Sequence, residues 1–191
     1  MNDLLNYLRI QVHANRLANH RLHAAMAPLT QEELNAPRTS FFPSLMATLQ
    51  HILAVDVYYI AALYGEADMV AQYDALPQHA ELATLAPAQA ACDARLIDFC
   101  EALVPAGLNG EVRLQRRDHV QVDRVQHVLA HLLNHQVHHR GQVHAMLAGT
   151  RVAPPQLDEF MMPSEAALRC ADMAALGWDE AFVYRRGTSP V

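Results

Sequence analysis

Between Val125 and Leu147 apolar residues return at the three- and four-residue intervals of an α-helix, and histidine returns with them at His131, His135 and His139. No other stretch constrains the chain as much, because it demands a long helix with one face turned to a protein interior. On a wheel of about 100° per residue with His135 at zero, Val128 and Met146 fall near 20°, Leu132 near 60°, and Leu129 and Leu147 near 120°. His139 lies near 40°, inside this apolar stripe; His135 is at its edge, and His131 and His138 lie outside it. Two imidazoles four residues apart on one face have Cβ atoms roughly 5–6 Å apart and can share a metal ion. A lone histidine on an apolar face is ordinarily a hydrogen-bonded core residue, and an HxxxH pair holds an ion loosely. A third ligand from another element is required.

Three other long helices are expected. The first runs over 3–26 with Asp3 as its cap and Pro28 as its stop; the second runs over 44–64, closed by Gly65. The third is read over 87–103, opening on Pro87, and the histidine helix over 123–148, with Asp123 as its cap and Gly149 at its end. Thr30-Gln31-Glu32-Glu33 is a capping box, residues 66–86 read as a looser stretch, and residues 110–120 alternate weakly enough for a short hairpin. Ser164 to Ala175 reads as a further helix. Four long amphipathic helices argue for an all-α four-helix bundle, whose interior is a usual place for a metal or ligand site.

Composition narrows the partners. The chain has 191 residues and a net charge of −6, with no cluster of basic side chains, which argues against a nucleic-acid surface. No apolar run reaches the ~20 residues of a membrane span, and Met1-Asn2-Asp3 does not open a signal peptide. Cys92, Cys100 and Cys170 are odd in number and unpaired by spacing, as expected of free thiols in a reducing cytoplasm. Seven of the twelve histidines fall between His119 and His144, an excess that composition does not explain.

The second long segment supplies the missing ligand. His51 shares its helix face with Thr48, Val55 and Tyr58, a partly apolar surface where an unpartnered polar group is costly. One His from this helix and the His135/His139 pair make a three-nitrogen site with an open position, the pattern of a catalytic or ligand-binding metal. The elements Asn15-Arg16-Leu17-Ala18-Asn19, Phe41-Phe42-Pro43-Ser44, Thr48 to Asp56 and Asn134 to Gln142, the last containing His-Arg-Gly-Gln, resemble the DinB (DinB/YfiT-like) family. The resemblance runs to about Leu157-Asp158. It implies a bundle over 1–158, a metal triad at His51, His135 and His139, and a homodimer. Residues 159–191 then form an extension packing on the bundle. Relatives often carry Trp where this chain has Leu17 and near Tyr58-Tyr59, so the pocket and the dimer surface are expected to differ.

Three neutral imidazoles leave a divalent ion, zinc or nickel, its full charge to acidify a water or to take a thiolate. The expected function is therefore a metal-dependent enzyme acting on a small cytoplasmic substrate by hydrolysis or thiol-dependent transfer. A low-molecular-weight thiol is one candidate partner, by similarity to the wider superfamily. The alternative is a non-catalytic metal- or ligand-binding bundle of a stress response. Gln142 is a candidate to bond a metal-bound water or an imidazole nitrogen, and Tyr58 to line the pocket with its hydroxyl. His131 and His138 are expected nearby or at the surface. Gly141 is expected to permit close helix packing, Arg140 to make an ion pair or dimer contact, and Asp56, about 140° from His51, to stay off the metal.

Overall fold

A computed structural model describes residues 3–158 and 162–184. Its long helices are α1 (Asp3–Met26), α3 (Leu45–Leu63), α5 (Leu82–Ala102) and α6 (Val125–Leu147). Between them lie α2 (Gln31–Asn35), α4 (Met69–Asp74) and a hairpin of β1 (Glu111–Gln115) and β2 (Val120–Arg124); α7 (Ala166–Ala175) and α8 (Glu180–Tyr184) follow. Helix α1 packs on α5, α5 on α3, α3 on α6, and α6 closes back on α1. The expected all-α bundle is what the chain forms.

Local chemistry explains the element ends. Thr30 Oγ1 accepts from the Glu33 amide at 3.2 Å and Glu33 Oε2 accepts from the Thr30 amide at 2.7 Å, the capping box expected before α2. Ser44 Oγ accepts from the Ala47 amide at 3.1 Å and opens α3. Gly65 closes that helix at φ 67°, where a side chain would be strained, and the Glu66 amide turns back to the Ala61 carbonyl at 2.9 Å. By length and composition α3 is apolar enough to cross a membrane, unlike the sequence expectation, but 72% of that stretch is buried in the bundle. It is the central core helix.

Two helix starts correct the sequence reading. Helix α5 begins at Leu82, and Pro87 stands inside it. The amides of Thr84 and Leu85 both reach the Glu81 carbonyl at 3.1 Å, so the first turn forms before the proline. Pro87 deprives only the Ala83 carbonyl of its intrahelical donor, and Ala83 is exposed to solvent. Asp123 does not cap α6. It belongs to β2, where it pairs with Val112, and the strand runs directly into the helix. The first helical amide, that of Val125, is satisfied by the Gly110 carbonyl at 2.9 Å, and no side chain caps the helix. Val112 and Leu114 turn inward, each 2% exposed, and fasten the hairpin to the core.

Beyond the bundle, α7 matches the expected C-terminal helix and α8 was not foreseen. Arg169, 1% exposed, donates through Nε and Nη2 to the two carboxylate oxygens of Glu180 at 2.7 Å each and locks α7 to α8. Both helices lie on α1, where Met173 and Val183 meet Leu17 and Ala18. Residues 159–161 and 185–191 of the expected extension lie outside the described residues.

A polar layer crosses the interior, with side chains from all four long helices. Asp93 accepts from Asn19 at 3.0 and 3.1 Å, from Asn15 at 3.3 Å and from Gln89 at 3.0 Å. Asp56 Oδ2 accepts from Gln89 at 2.7 Å and from Gln136. Arg140 Nη1 donates to Asn15, and to Asn19 and Gln136 at 3.1 Å. Burial, reinforced by Asp93, pushes the Asp56 carboxyl well above the usual carboxylate range, and burial raises Asp93 as well. Asp56 Oδ1 is buried without a hydrogen-bond partner, which adds to the cost of ionising this carboxyl. Burial lowers Arg140 only to about 10, which leaves it a cation at neutral pH. Arg140 is buried, and its guanidinium belongs to this layer.

Candidate metal centre

Helix α3 carries His51 and α6 carries His135 and His139, and the packing of these two helices brings the three rings together. One ring nitrogen of each lies within 4.8 Å of the others. His51 Nε2 and His135 Nε2 are 3.0 Å apart. Two nitrogens bound tetrahedrally to one zinc at 2.0–2.1 Å would be about 3.3 Å apart, so the spacing of this pair fits a shared ion, and a small turn of the third ring would bring its nitrogen to the same ion. His139 is buried, while His51 and His135 are half-buried, leaving one side of the cluster open.

The rings are electrically prepared to be ligands. Burial, then the neighbouring His139, lowers His51 to about 4, and burial with His139 and His51 lowers His135 to about 3. His139 is lowered too, chiefly by burial. All three are neutral at pH 7 and offer lone pairs. His139 Nδ1 lies 2.8 Å from Gln142 Oε1, an acceptor, so Nδ1 carries the proton and Nε2 is left to the cluster. Gln142 thus acts through His139, orienting its ring, as one of the two contacts expected of it.

The other expected residues separate cleanly. The Tyr58 hydroxyl donates to the Gln115 carbonyl at 2.6 Å, which commits it to holding the hairpin on α3. His138 is exposed and meets Gln142 Nε2 at 3.2 Å. His131 stacks on Tyr59 at 5.0 Å, outside the cluster. Asp56 faces the polar layer and not the triad. Gly141 corrects the sequence reading: a Cβ there would meet nothing within 4 Å, so no close helix approach requires it.

Sequence reasoning missed the wall and the chamber. Phe42, in the loop before α3, lays its ring 4.3 Å from His51 and 5.7 Å from His139 and shields that side. The signal was available in the aromatic pair beside Pro43, but a loop aromatic has no periodicity to aim it. On another side His135 borders an open chamber of about 320 Å³, lined by Val55, Tyr58, Tyr59 and Tyr73 and by Arg116 and Arg117 of the hairpin turn. That volume is at the lower end of small-molecule sites.

The sequence profile of the DinB family matches residues 1–170, which takes in the whole bundle and all three histidines. The chain belongs to the DinB family. The match extends past the Asp158 boundary read from the sequence, into the first half of α7. No curated protein matches the chain. Family membership and the histidine cluster agree on a metal-associated protein, since the DinB profile spans both helices that bring the rings together.

Proposed function

We propose that this DinB protein is a divalent-metal-dependent enzyme in which His51, His135 and His139 hold one zinc or nickel ion. The reading rests on one observation above all: three neutral imidazoles from two helices converge beside a chamber that reaches one of them. An ion so held would lower the pKa of a water or thiol at its open position toward neutrality. The chain's own residues do the rest. Gln142 fixes the His139 tautomer, Phe42 keeps solvent from the His51 side, and the tyrosines offer apolar walls to a small cytoplasmic substrate.

Thiol-dependent transfer is the better-supported reaction. Among the described residues no carboxylate is hydrogen-bonded to any of the three histidines, and the chamber beside them has a single carboxylate in its lining, Asp74, so acidic side chains to activate water are few. A thiolate bound to the ion needs no such base. The same observation favours, as the second reading, a metal- or ligand-binding protein without turnover.

Elemental analysis of protein purified without a metal-affinity tag tests the core of this reading, with one ion per chain expected. Activity on thiol adducts and simple esters should vanish on chelation and return with metal; metal without any turnover would favour the second reading. The apo-protein should keep its helical circular dichroism, because the bundle buries its core without the ion. At free metal about 100 times Kd the stabilisation is about 2.7 kcal/mol, so chelation should lower Tm by roughly 5–10 °C. Complete unfolding on chelation would make the site structural. A homodimer belongs to the proposal, motivated by exposed Leu4, Tyr7 and Val137 beside the α1–α6 groove, 39%, 56% and 63% exposed. Light scattering returning the 21.2 kDa monomer mass would remove it.

A further inference from the structure

We propose that the chamber beside the triad selects substrates carrying an anionic group, and that Arg116 and Arg117 of the hairpin turn are the residues that recognise it. The inference deepens the metal reading and rests on it. Its ground is a local charge that runs against the chain as a whole. The chain carries a net −6, yet the ionised lining of the chamber is two arginines against one carboxylate, Asp74. A divalent ion at the triad would add to that positive field.

Neither guanidinium is neutralised inside the protein. Arg116 donates through Nε and Nη2 to the neutral amide oxygen of Gln121 at 3.3 and 3.1 Å, and through Nη2 to the Tyr59 hydroxyl at 3.4 Å. Its guanidinium carbon lies 5.5 Å from the centre of the Tyr58 ring and 5.9 Å from that of Tyr59. Among the described residues no carboxylate lies within ion-pair distance of Arg116 or Arg117; the adjacent Asp118 is engaged by His119 at 2.7 Å. Arg117 is exposed at the tip of the turn. A cation held this way by neutral groups keeps its full appetite for an anion, and its planar fork suits a carboxylate or a phosphate.

Arg116 is also held in place. The Arg116 amide donates to the His119 carbonyl at 2.8 Å and closes the turn, while Tyr58 grips the preceding Gln115 carbonyl. Arg116, Tyr59, His131 and His135 form one continuous lining from the turn to the triad. A substrate can therefore meet the ion with one end and the hairpin turn with the other, its apolar middle against Val55, Val70 and the tyrosines. The anion fixes which way round it lies.

The test uses the full chain loaded with cobalt(II), whose bound thiolates absorb in the near ultraviolet, and thiols of one length that differ only at the far end. The probes are 6-mercaptohexanoate, 6-mercaptohexyl phosphate, 6-mercaptohexanol and 6-aminohexanethiol. Each titration gives a Kd from the sulfur-to-cobalt band. An anionic thiol should bind about ten-fold or more tighter than the alcohol, with the amine weakest, and the tighter anion identifies the natural group. In Arg116→Gln/Arg117→Gln the ratio of the alcohol's Kd to the anion's should fall to near unity while the cobalt spectrum before thiol stays unchanged. Arg117→Glu, at an exposed position that supports no fold contact, should cut the preference by itself. Equal affinity for alcohol and anions, tighter binding of the amine, or a preference that survives the arginine substitutions overturns the proposal. A wild-type chain that takes up no cobalt is a different failure: it removes the metal reading, and this inference with it.

Discussion

Replacing His139 by Ala should abolish stoichiometric metal binding, whereas His138→Ala should leave it nearly intact. The two residues are neighbours in sequence, but one is buried in the cluster and the other is exposed on the far side of Gln142. Between these extremes lies Gln142→Ala. It removes no ligand but frees the His139 ring to change tautomer and rotate, and losses of about 10–100-fold in affinity are usual for such supporting residues. Competition with a chromogenic chelator measures all three. The expected order is His139→Ala far worse than Gln142→Ala, and Gln142→Ala worse than His138→Ala. Equal behaviour of the two histidine variants, or a damaging His131→Ala, would show that the ligands have been wrongly assigned.

The largest effect on stability should come from Arg140→Met. The substitution keeps the volume of the side chain but removes a buried cation from the neighbourhood of Asp93, leaving Arg16, 3.9 Å away, and the amides of Asn15, Asn19 and Gln89 to offset its charge. Breaking a buried charged network by removing one partner typically costs about 3–5 kcal/mol, well beyond a surface change. The pH dependence separates this cause from mere loss of packing. Burial already raises the Asp93 carboxyl, and without Arg140 it rises further. A carboxyl raised on folding stabilises the fold while protonated and loses that contribution as pH rises through its folded value. Urea unfolding should therefore find Arg140→Met much closer to the parent at pH 5 than at pH 8. A deficit independent of pH would mean that packing, not charge, is what Arg140 contributes.

The bundle was legible because its signals are periodic. Helical spacing marked α1, α3 and α6 to within two residues, and caps such as Ser44 and Gly65 act locally, where sequence is explicit. Pro87 misled because a proline is both a good helix starter and a tolerated early interior residue; the choice was made by Leu82 and Leu85, which bury on the core and draw the helix back. Asp123 misled because its place was decided by pairing with Val112 across the hairpin, which the spacing to the helix does not reveal.

Within the site, the wheel found His135 and His139 because an apolar stripe is a statement about burial. It could not find the polar layer one residue away. Gln136 and Arg140 sit on α6 beside two ligands, their partners Asp56 and Asn19 lie on α3 and α1, and Gln89 and Asp93 of α5 complete the layer. A buried polar group is identified by who faces it, and facing across a bundle is not a property of any one segment. The chamber failed to show for the same reason, since its lining comes from the hairpin, α3, α4 and α6 together.

The cluster also imposes an order of events on the chain's birth. His51 and His135 are 84 residues apart, and nothing in either helix alone can grip an ion as all three rings do. During synthesis α3 leaves the ribosome with one histidine, and waits through α5 and the hairpin before its partners emerge. The full site comes into being only when the last long helix docks, a non-local step that follows the fast local ones. An ion held by these three rings would then be taken up by a finished bundle through the open side of the cluster. Selection among competing metals is thereby left to what the surrounding compartment holds available at that moment, rather than to the nascent chain.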